Sequence, residues 1–517
     1  MVFHRRYAII FIDNEEESVM NQNNELTEYQ KGKISVAELL YLLYFTVMFG
    51  ARAIGLFEGM LIYNISLVIG MLLFAVKVMM TEHTLLEYLV MGSMLLLSLL
   101  VYYNTGEKGL LLYFTMMLGM KCVSLRRVFK LATVVLSVSF TVLVFLSVTG
   151  LKEDIIYIKE RAGFGNVIRH SLWYPYPNTL FTTYIILMVL IMYMLGKQTT
   201  KNLLLSSLFL FIGAVYIFIY SCSNTGLIVS VFYLLANLYL QLRPKLSKLE
   251  KTGIFLVYPV CLIFSIAGPL ITKGSLFALF DKVLHNRWAY SLYYLTNEPI
   301  TLFGVRFGET PNDNYMIDSS FLYSFLQIGV VACVIITLLN LGMILEYVRK
   351  EKKIELAIIV SFCVLGLSDP FLYNLSYKNL LFLFIGALFY EKLQEAQTKE
   401  LGMFNRKIRW FSVGKKELVL QNGLYRSICQ KCKAAGTKIT KNSLVVSGIY
   451  LLSMAVITGG VYLASWAGYI VDKVDQVDEW EYVRGGLSLG VFIGAAVTGM
   501  ILFVMKRPGT KADKRSE

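Results

Sequence analysis

The chain has 517 residues, 56% of them hydrophobic and 16% charged, with a formal net charge of +14. A soluble domain carries about 25% charged residues; here the shortfall runs along most of the length, which argues against a large soluble core and predicts membrane spans of about 20 residues each. The cationic excess is read first as the bias of cytoplasmic loops, ahead of a nucleic-acid footprint.

Apolar runs follow one another at about 35–55, 60–80, 84–103, 109–120, 128–150, 178–196, 202–220, 224–242, 253–271, 315–346, 354–371, 377–391, 443–467 and 485–505. They predict an all-α fold, a polytopic transmembrane bundle of about fourteen spans. Residues 1–33 form a cytoplasmic N-terminal segment and 34–391 a twelve-span body. A basic cytoplasmic linker follows over 392–442, then a two-span hairpin over 443–505 and a cytoplasmic tail over 506–517. No cleavable signal is expected, because the first long apolar run begins only near Ile34.

The 109–120 run is short for a span, and the 315–346 run is long enough to tilt or to extend beyond the bilayer. Charge decides for the short one. With the N-terminus inside, the even-numbered connections collect Lys121, Arg126, Arg127 and Lys130; Lys197 and Lys201; Arg243, Lys245, Lys248 and Lys251; and Arg349, Lys350, Lys352 and Lys353. The linker, with twelve Lys/Arg against three Glu, also falls inside, and the acidic 469–484 loop falls outside. Omitting the 109–120 span would reverse every later loop. Both termini are therefore expected in the cytoplasm.

The seven cysteines are scattered, mostly within apolar runs, and are read as reduced structural residues. Cys429-Gln-Lys-Cys432 is a lone CxxC without the further ligands that zinc needs, so no metal site is expected.

Two long connections, 151–177 and 272–314, fall outside, where the cations Lys152, Lys159, Arg161 and Arg169, and Lys273, Lys282, Arg287 and Arg306, are out of place. Two of the four histidines, His170 and His285, sit beside arginines there. An arginine fork matches phosphate oxygens at any relevant pH, so two such forks suit a lipid-anchored pyrophosphate at the outer surface. A carboxylate beside them would act on a sugar hydroxyl; Asp318, at the entry to the tenth span, and Asp313 are placed for it, although an Asp at a helix entry also serves as a cap.

The segments Ile168-Arg169-His170-Ser171-Leu172 through Pro177-Asn178, Asn286-Arg287-Trp288 with Leu302-Phe303-Gly304, and Ile317-Asp318-Ser319-Ser320 with Gln327-Ile328-Gly329 resemble motifs of the Wzy-type bacterial polysaccharide polymerases, which are similar to O-antigen ligases. Ser221-Cys222-Ser223-Asn224-Thr225-Gly226 and Gly366-Leu367-Ser368-Asp369-Pro370 are weaker matches. Trp173 stands where the family has a glycine and Tyr176 where it has a histidine; the resemblance spans about residues 35–391. It implies a glycosyltransferase of the bacterial cytoplasmic membrane that joins undecaprenyl-pyrophosphate-linked oligosaccharides on the extracytoplasmic face, without metal or other cofactor. Its substrate is a lipid-linked oligosaccharide, its protein partners a chain-length regulator and a flippase of the same pathway, and nucleic acid is not expected. On this reading Arg169, Arg287 and Arg306, with Asn178 and Asp313, bind pyrophosphate or glycan, and Asp318, His170 or His285 removes the acceptor proton. A ligase, or a flippase for the same lipid-linked glycan, is the competing expectation.

Overall fold

The computed structural model describes residues 33–161, 165–284, 286–312, 315–374, 376–397, 406–410, 418–419, 447–460 and scattered positions from 462 to 498. Of the sequence expectations, His285, Asp313, Cys429, Cys432, most of the linker and much of the terminal hairpin lie outside the described residues. The chain divides into two compact units, residues 1–144 with 154–419, and residues 145–153 with 420–517.

The first unit is mostly helical. A two-residue strand β1 (Lys33–Ile34) precedes α1 (Val36–Ala53) and α2 (Leu61–Met80); β2 (His83–Thr84) leads into α3 (Leu85–Thr105), α4 (Gly109–Leu118) and α5 (Leu125–Val148). The strands β3 (Ile156–Arg161) and β4 (Gly165–His170) form an antiparallel hairpin before α6 (Pro177–Leu195), α7 (Thr200–Ser221), α8 (Asn224–Leu242) and α9 (Lys248–Ile266). Short helices α10 (Gly268–Ile271), α11 (Gly274–Val283), α12 (Arg287–Asn297) and α13 (Ser320–Leu326) come next. Then follow α14 (Val330–Arg349), α15 (Lys353–Leu365), α16 (Leu381–Gln397), β5 (Lys407–Ile408) and β6 (Leu418–Val419).

Among the described residues, nine helices are long and apolar enough to cross a membrane: α1, α2, α3, α5, α6, α7, α8, α9 and α14. This is a membrane bundle of α-helices. Two shorter helices complete its centre. The 109–120 run forms α4, 10 residues long, and the 354–371 run forms α15, 13 residues, with a short 3-10 turn at Pro370–Leu372. At a rise of about 1.5 Å per residue neither covers a hydrocarbon layer of about 30 Å. Both are apolar nearly all round and buried nearly all round, as helices enclosed by other helices are. The 315–346 run is not one span. Its helix breaks at Gln327–Gly329, where Gly329 takes a φ of 99°, so α13 and α14 are separate.

Contacts between helix ends sort them into two faces. On one face, which carries β5, Glu38 pairs with Arg127 and Glu87 with Lys121, Lys77 Nζ donates to the Lys121 carbonyl at 2.9 Å, and Lys353 Nζ donates to the Pro244 carbonyl at 2.9 Å. On the other, which carries the β3–β4 hairpin, Gln327 donates to Glu107 at 2.9 Å, Tyr174 to the Ala53 carbonyl at 3.2 Å, and Arg52 to the Ser376 carbonyl at 3.3 Å. The chain leaves α3 at the hairpin face and enters α5 at the β5 face, where the Ser124 amide donates to Glu38. The segment holding α4 therefore passes from one face to the other despite its length.

Buried tyrosines hold this centre. Tyr41 and Tyr113 donate to the carbonyls of Met116 and Phe371 at 2.7 and 2.8 Å, and the Tyr44 and Thr115 hydroxyls are 2.8 Å apart. Each such bond contributes about 1 kcal/mol net, and leaving its partner dry and unpaired costs more.

Within the second unit, a helix spanning Ser447–Gly460 packs against the stretch that contains Gly486, Gly490 and Gly494. The three glycines recur every fourth residue and face Met454 and Thr458, with no room for a Cβ at Gly486 or Gly490. Small residues at that spacing let two membrane helices approach closely.

Candidate functional site

The first connection read as a loop is a hairpin. Ile156-Tyr157-Ile158 and Val167-Ile168 supply β-branched and aromatic residues in alternation. The register sets Tyr157 opposite Arg169 and Ile156 opposite His170. This fixes the direction of two expected site residues. Arg169 Nε donates to the Ser221 carbonyl at 2.8 Å, and its NH2 donates to Asn178 Oδ1 at 2.8 Å. Arg169 thus ties the hairpin to the end of α7 and the first turn of α6.

His170 points elsewhere. Its Nδ1 lies 2.6 Å from Asp154 Oδ2, and the other oxygen of that carboxylate accepts from the Leu172 amide at 2.6 Å. Leu172 and Trp173 follow with φ of 47° and 75°, a left-handed turn that glycine enters freely and larger residues rarely do. Asp154 therefore braces this turn through His170 and the backbone.

Arg287 opens α12, just after Asn286 in the left-handed region. Its Nε donates to Asp318 Oδ2 at 2.8 Å and its NH1 to the Leu284 carbonyl at 3.2 Å. Ser319, not Asp318, caps α13 by accepting from the Leu322 amide, so the capping alternative for Asp318 does not hold. About a third of the Asp318 side chain stays accessible (34%).

The two arginine regions are linked through α6. Asn178, which takes Arg169, and Thr182 are one turn apart on the same side of that helix. Thr182 Oγ1 donates to Asp369 Oδ2 at 2.7 Å. Asp369 stands in the connection between α15 and α16, outside the helices, and its Oδ1 accepts from the Phe371 amide at 2.9 Å. Burial pushes the Asp369 carboxyl up to about 6; the bonds from Thr182 and Phe371 oppose the rise, the nearby Asp318 carboxylate adds to it and Arg287 opposes it. Asp369 therefore feels both members of the Arg287–Asp318 pair. In the same connection Lys378 is buried, donates to Thr183 Oγ1 at 2.5 Å and lies 5.3 Å from the Tyr174 ring.

The matched segments meet here. Gly226 lies against the Phe181 ring, where a Cβ would not fit. The Ser320 amide donates to the Gly366 carbonyl at 2.8 Å and the Ser320 hydroxyl to the Asp369 carbonyl at 2.6 Å. Gly304 and Gly329 cross backbone to backbone. Arg306 is the exception among the described residues: it is exposed, its guanidinium lies over Gly106 at the end of α3, and no hydrogen bond or ion pair described joins it to Arg169 or Arg287. A cation at a helix C-terminus offsets the helix dipole there.

Thr182, Thr183 and Lys378 were missed in the sequence. Each sits in or beside an apolar run with no charged neighbour to draw attention, and only the packing of the 366–380 connection against α6 brings them to the site. Among the described residues, no group of three His, Cys, Asp or Glu side chains is arranged to hold a metal ion. Chemically, the cluster offers guanidinium donors for an anion and one accessible carboxylate for a proton.

Comparison with protein-family models, curated proteins and solved structures found no match for this chain.

Proposed function

We propose that this chain is a Wzy-type polysaccharide repeat-unit polymerase, a glycosyltransferase that transfers a glycan from a lipid pyrophosphate to another lipid-linked repeat. One observation carries the reading: segments matched to that family, far apart in sequence, converge on the first turns of α6. Arg169 reaches Asn178, Asp369 reaches Thr182 and feels the Arg287–Asp318 pair, and Gly226 abuts Phe181. Trp173 supports the alignment, because its φ of 75° is what the family's glycine would adopt without strain.

In this proposal the chain crosses a bacterial cytoplasmic membrane about fourteen times, with both termini in the cytoplasm. The hairpin face is extracytoplasmic, and the cation-rich face that carries β5 is cytoplasmic. Arg169 and Arg287 hold the pyrophosphate, whose charge grows as the glycosidic bond to lipid breaks. Asp318 takes the proton of the acceptor hydroxyl.

Asp318→Asn tests the assignment. It preserves shape and removes the base, so polymer growth is expected to fall by about 10²–10⁴ while the chain inserts normally. Undiminished growth would exclude Asp318 as the base.

A further inference from the structure

The connection after α9 contains an apolar surface that the site does not use. In α11, Leu276, Leu279 and Val283 are 49, 56 and 63% exposed, and no residue of the helix is fully buried. The helix is nevertheless sided. Phe277 and Phe280 pack on the Trp288 ring at 5.9 and 4.7 Å between centroids, while Ser275, Ala278 and Lys282 occupy the opposite arc. Leu276, Leu279 and Val283 recur at i, i+3 and i+7 between those two arcs, so they form a third strip that faces outward.

Apolar side chains are exposed on the helices just before α11 as well. Leu256, Val260 and Ile263 are exposed along the membrane-length helix α9, and Leu270 and Ile271 are exposed at the step between the two helices. Lys273 and Lys282 flank the strip, as cations flank helices that lie in an interface with anionic headgroups. The far end of α11 holds the candidate site. The Leu284 carbonyl accepts from Arg287 NH1, Asp281 Oδ1 accepts from the Ala289 amide at 2.8 Å, and the Asp281 carbonyl accepts from the Asn286 amide at 2.8 Å.

We propose that α11 lies in the bilayer surface at the hairpin face, with Leu276, Leu279 and Val283 among the acyl chains, and that this anchorage sets the depth at which Arg287 is held. The partner is the lipid surface itself.

The test places the photo-cross-linker p-benzoylphenylalanine at Leu276, Leu279, Ala278 or Lys282 of the full chain. The protein is reconstituted in vesicles of phosphatidylethanolamine and phosphatidylglycerol, and Val260 on α9 serves as the inserted reference. Phospholipid adducts are expected at positions 276 and 279 in yields near that of position 260 and several-fold above those at 278 and 282. Equal yields around the helix would overturn the proposal, as would protein adducts in place of lipid adducts at 276 and 279. A chain that fails to insert is recognised by loss of the adduct at 260 in a doubly labelled sample. Because the readout is a lipid adduct, it is independent of whether glycan is transferred.

Discussion

Replacing Arg169 and Arg287 together by alanine is expected to abolish polymer growth in a chain that still reaches the membrane at its normal level. Each guanidinium is assigned to the leaving pyrophosphate, and removing one donor group of that kind costs about 10²–10³ in rate. The substitutions leave the bundle intact for reasons visible in the geometry. Asp318, deprived of Arg287, is accessible enough to be solvated, and Asn178, which takes Arg169, is exposed. Arg287→Lys is not expected to restore function, because one ammonium does not reproduce the fork that reaches Asp318 and the Leu284 carbonyl at once. The check is polymer length and yield, with membrane-inserted protein quantified in parallel. Normal polymer from the double variant would remove the pyrophosphate assignment.

Gly329→Ala and Gly304→Ala are each expected to destabilise the body by roughly 3–5 kcal/mol. Gly304 has a φ of 85° and Gly329 a φ of 99°. A Cβ on Gly304 would meet the Gln327 carbonyl oxygen, and one on Gly329 would meet the Gly304 amide and the Leu302 carbonyl. These are backbone atoms fixed by the Val330 and Val331 amides, which donate to the Thr301 and Leu302 carbonyls at 3.1 Å. No rotamer change relieves the clash. Thermal unfolding in detergent, read alongside Gly253→Ala on α9, where a Cβ meets nothing, measures the effect. Equal melting temperatures for all three variants would contradict it.

The two glycine motifs show what the sequence carried and what it withheld. Leu302-Phe303-Gly304 and Gln327-Ile328-Gly329 were visible as strings; that they are two halves of one crossing was not, because pairing across the intervening residues leaves no periodic signal. Hydropathy located the long helices closely, since a span must be apolar over its whole length. It does not show how the centre is built. A short helix enclosed by protein and a helix that breaks at Gly329 present the same apolar run as a complete span. The hairpin lies in what the sequence shows as a long connection between two apolar runs; Ile156, Tyr157 and Ile158 are too short a stretch to mark a strand by themselves.

At the site, Arg169 and Arg287 stand out by their aromatic, proline and histidine neighbourhood, Asp318 by its place at the entry to an apolar run, and Asn178 by the resemblance of its motif. The structure links them through α6 and leaves Arg306 at the end of α3. Thr182 and Lys378 became visible only through the fold, because hydroxyls and a lone lysine next to apolar runs look like ordinary helix and interface residues.

The most direct test of the central claim is to purify the chain and supply it with a lipid-pyrophosphate-linked oligosaccharide repeat, then resolve the products by size. A polymerase yields a ladder of lengthening lipid-linked chains that disappears with the Arg169→Ala, Arg287→Ala double variant. Transfer of glycan onto a different acceptor without a ladder, or leaflet exchange of an unaltered repeat, would contradict the claim.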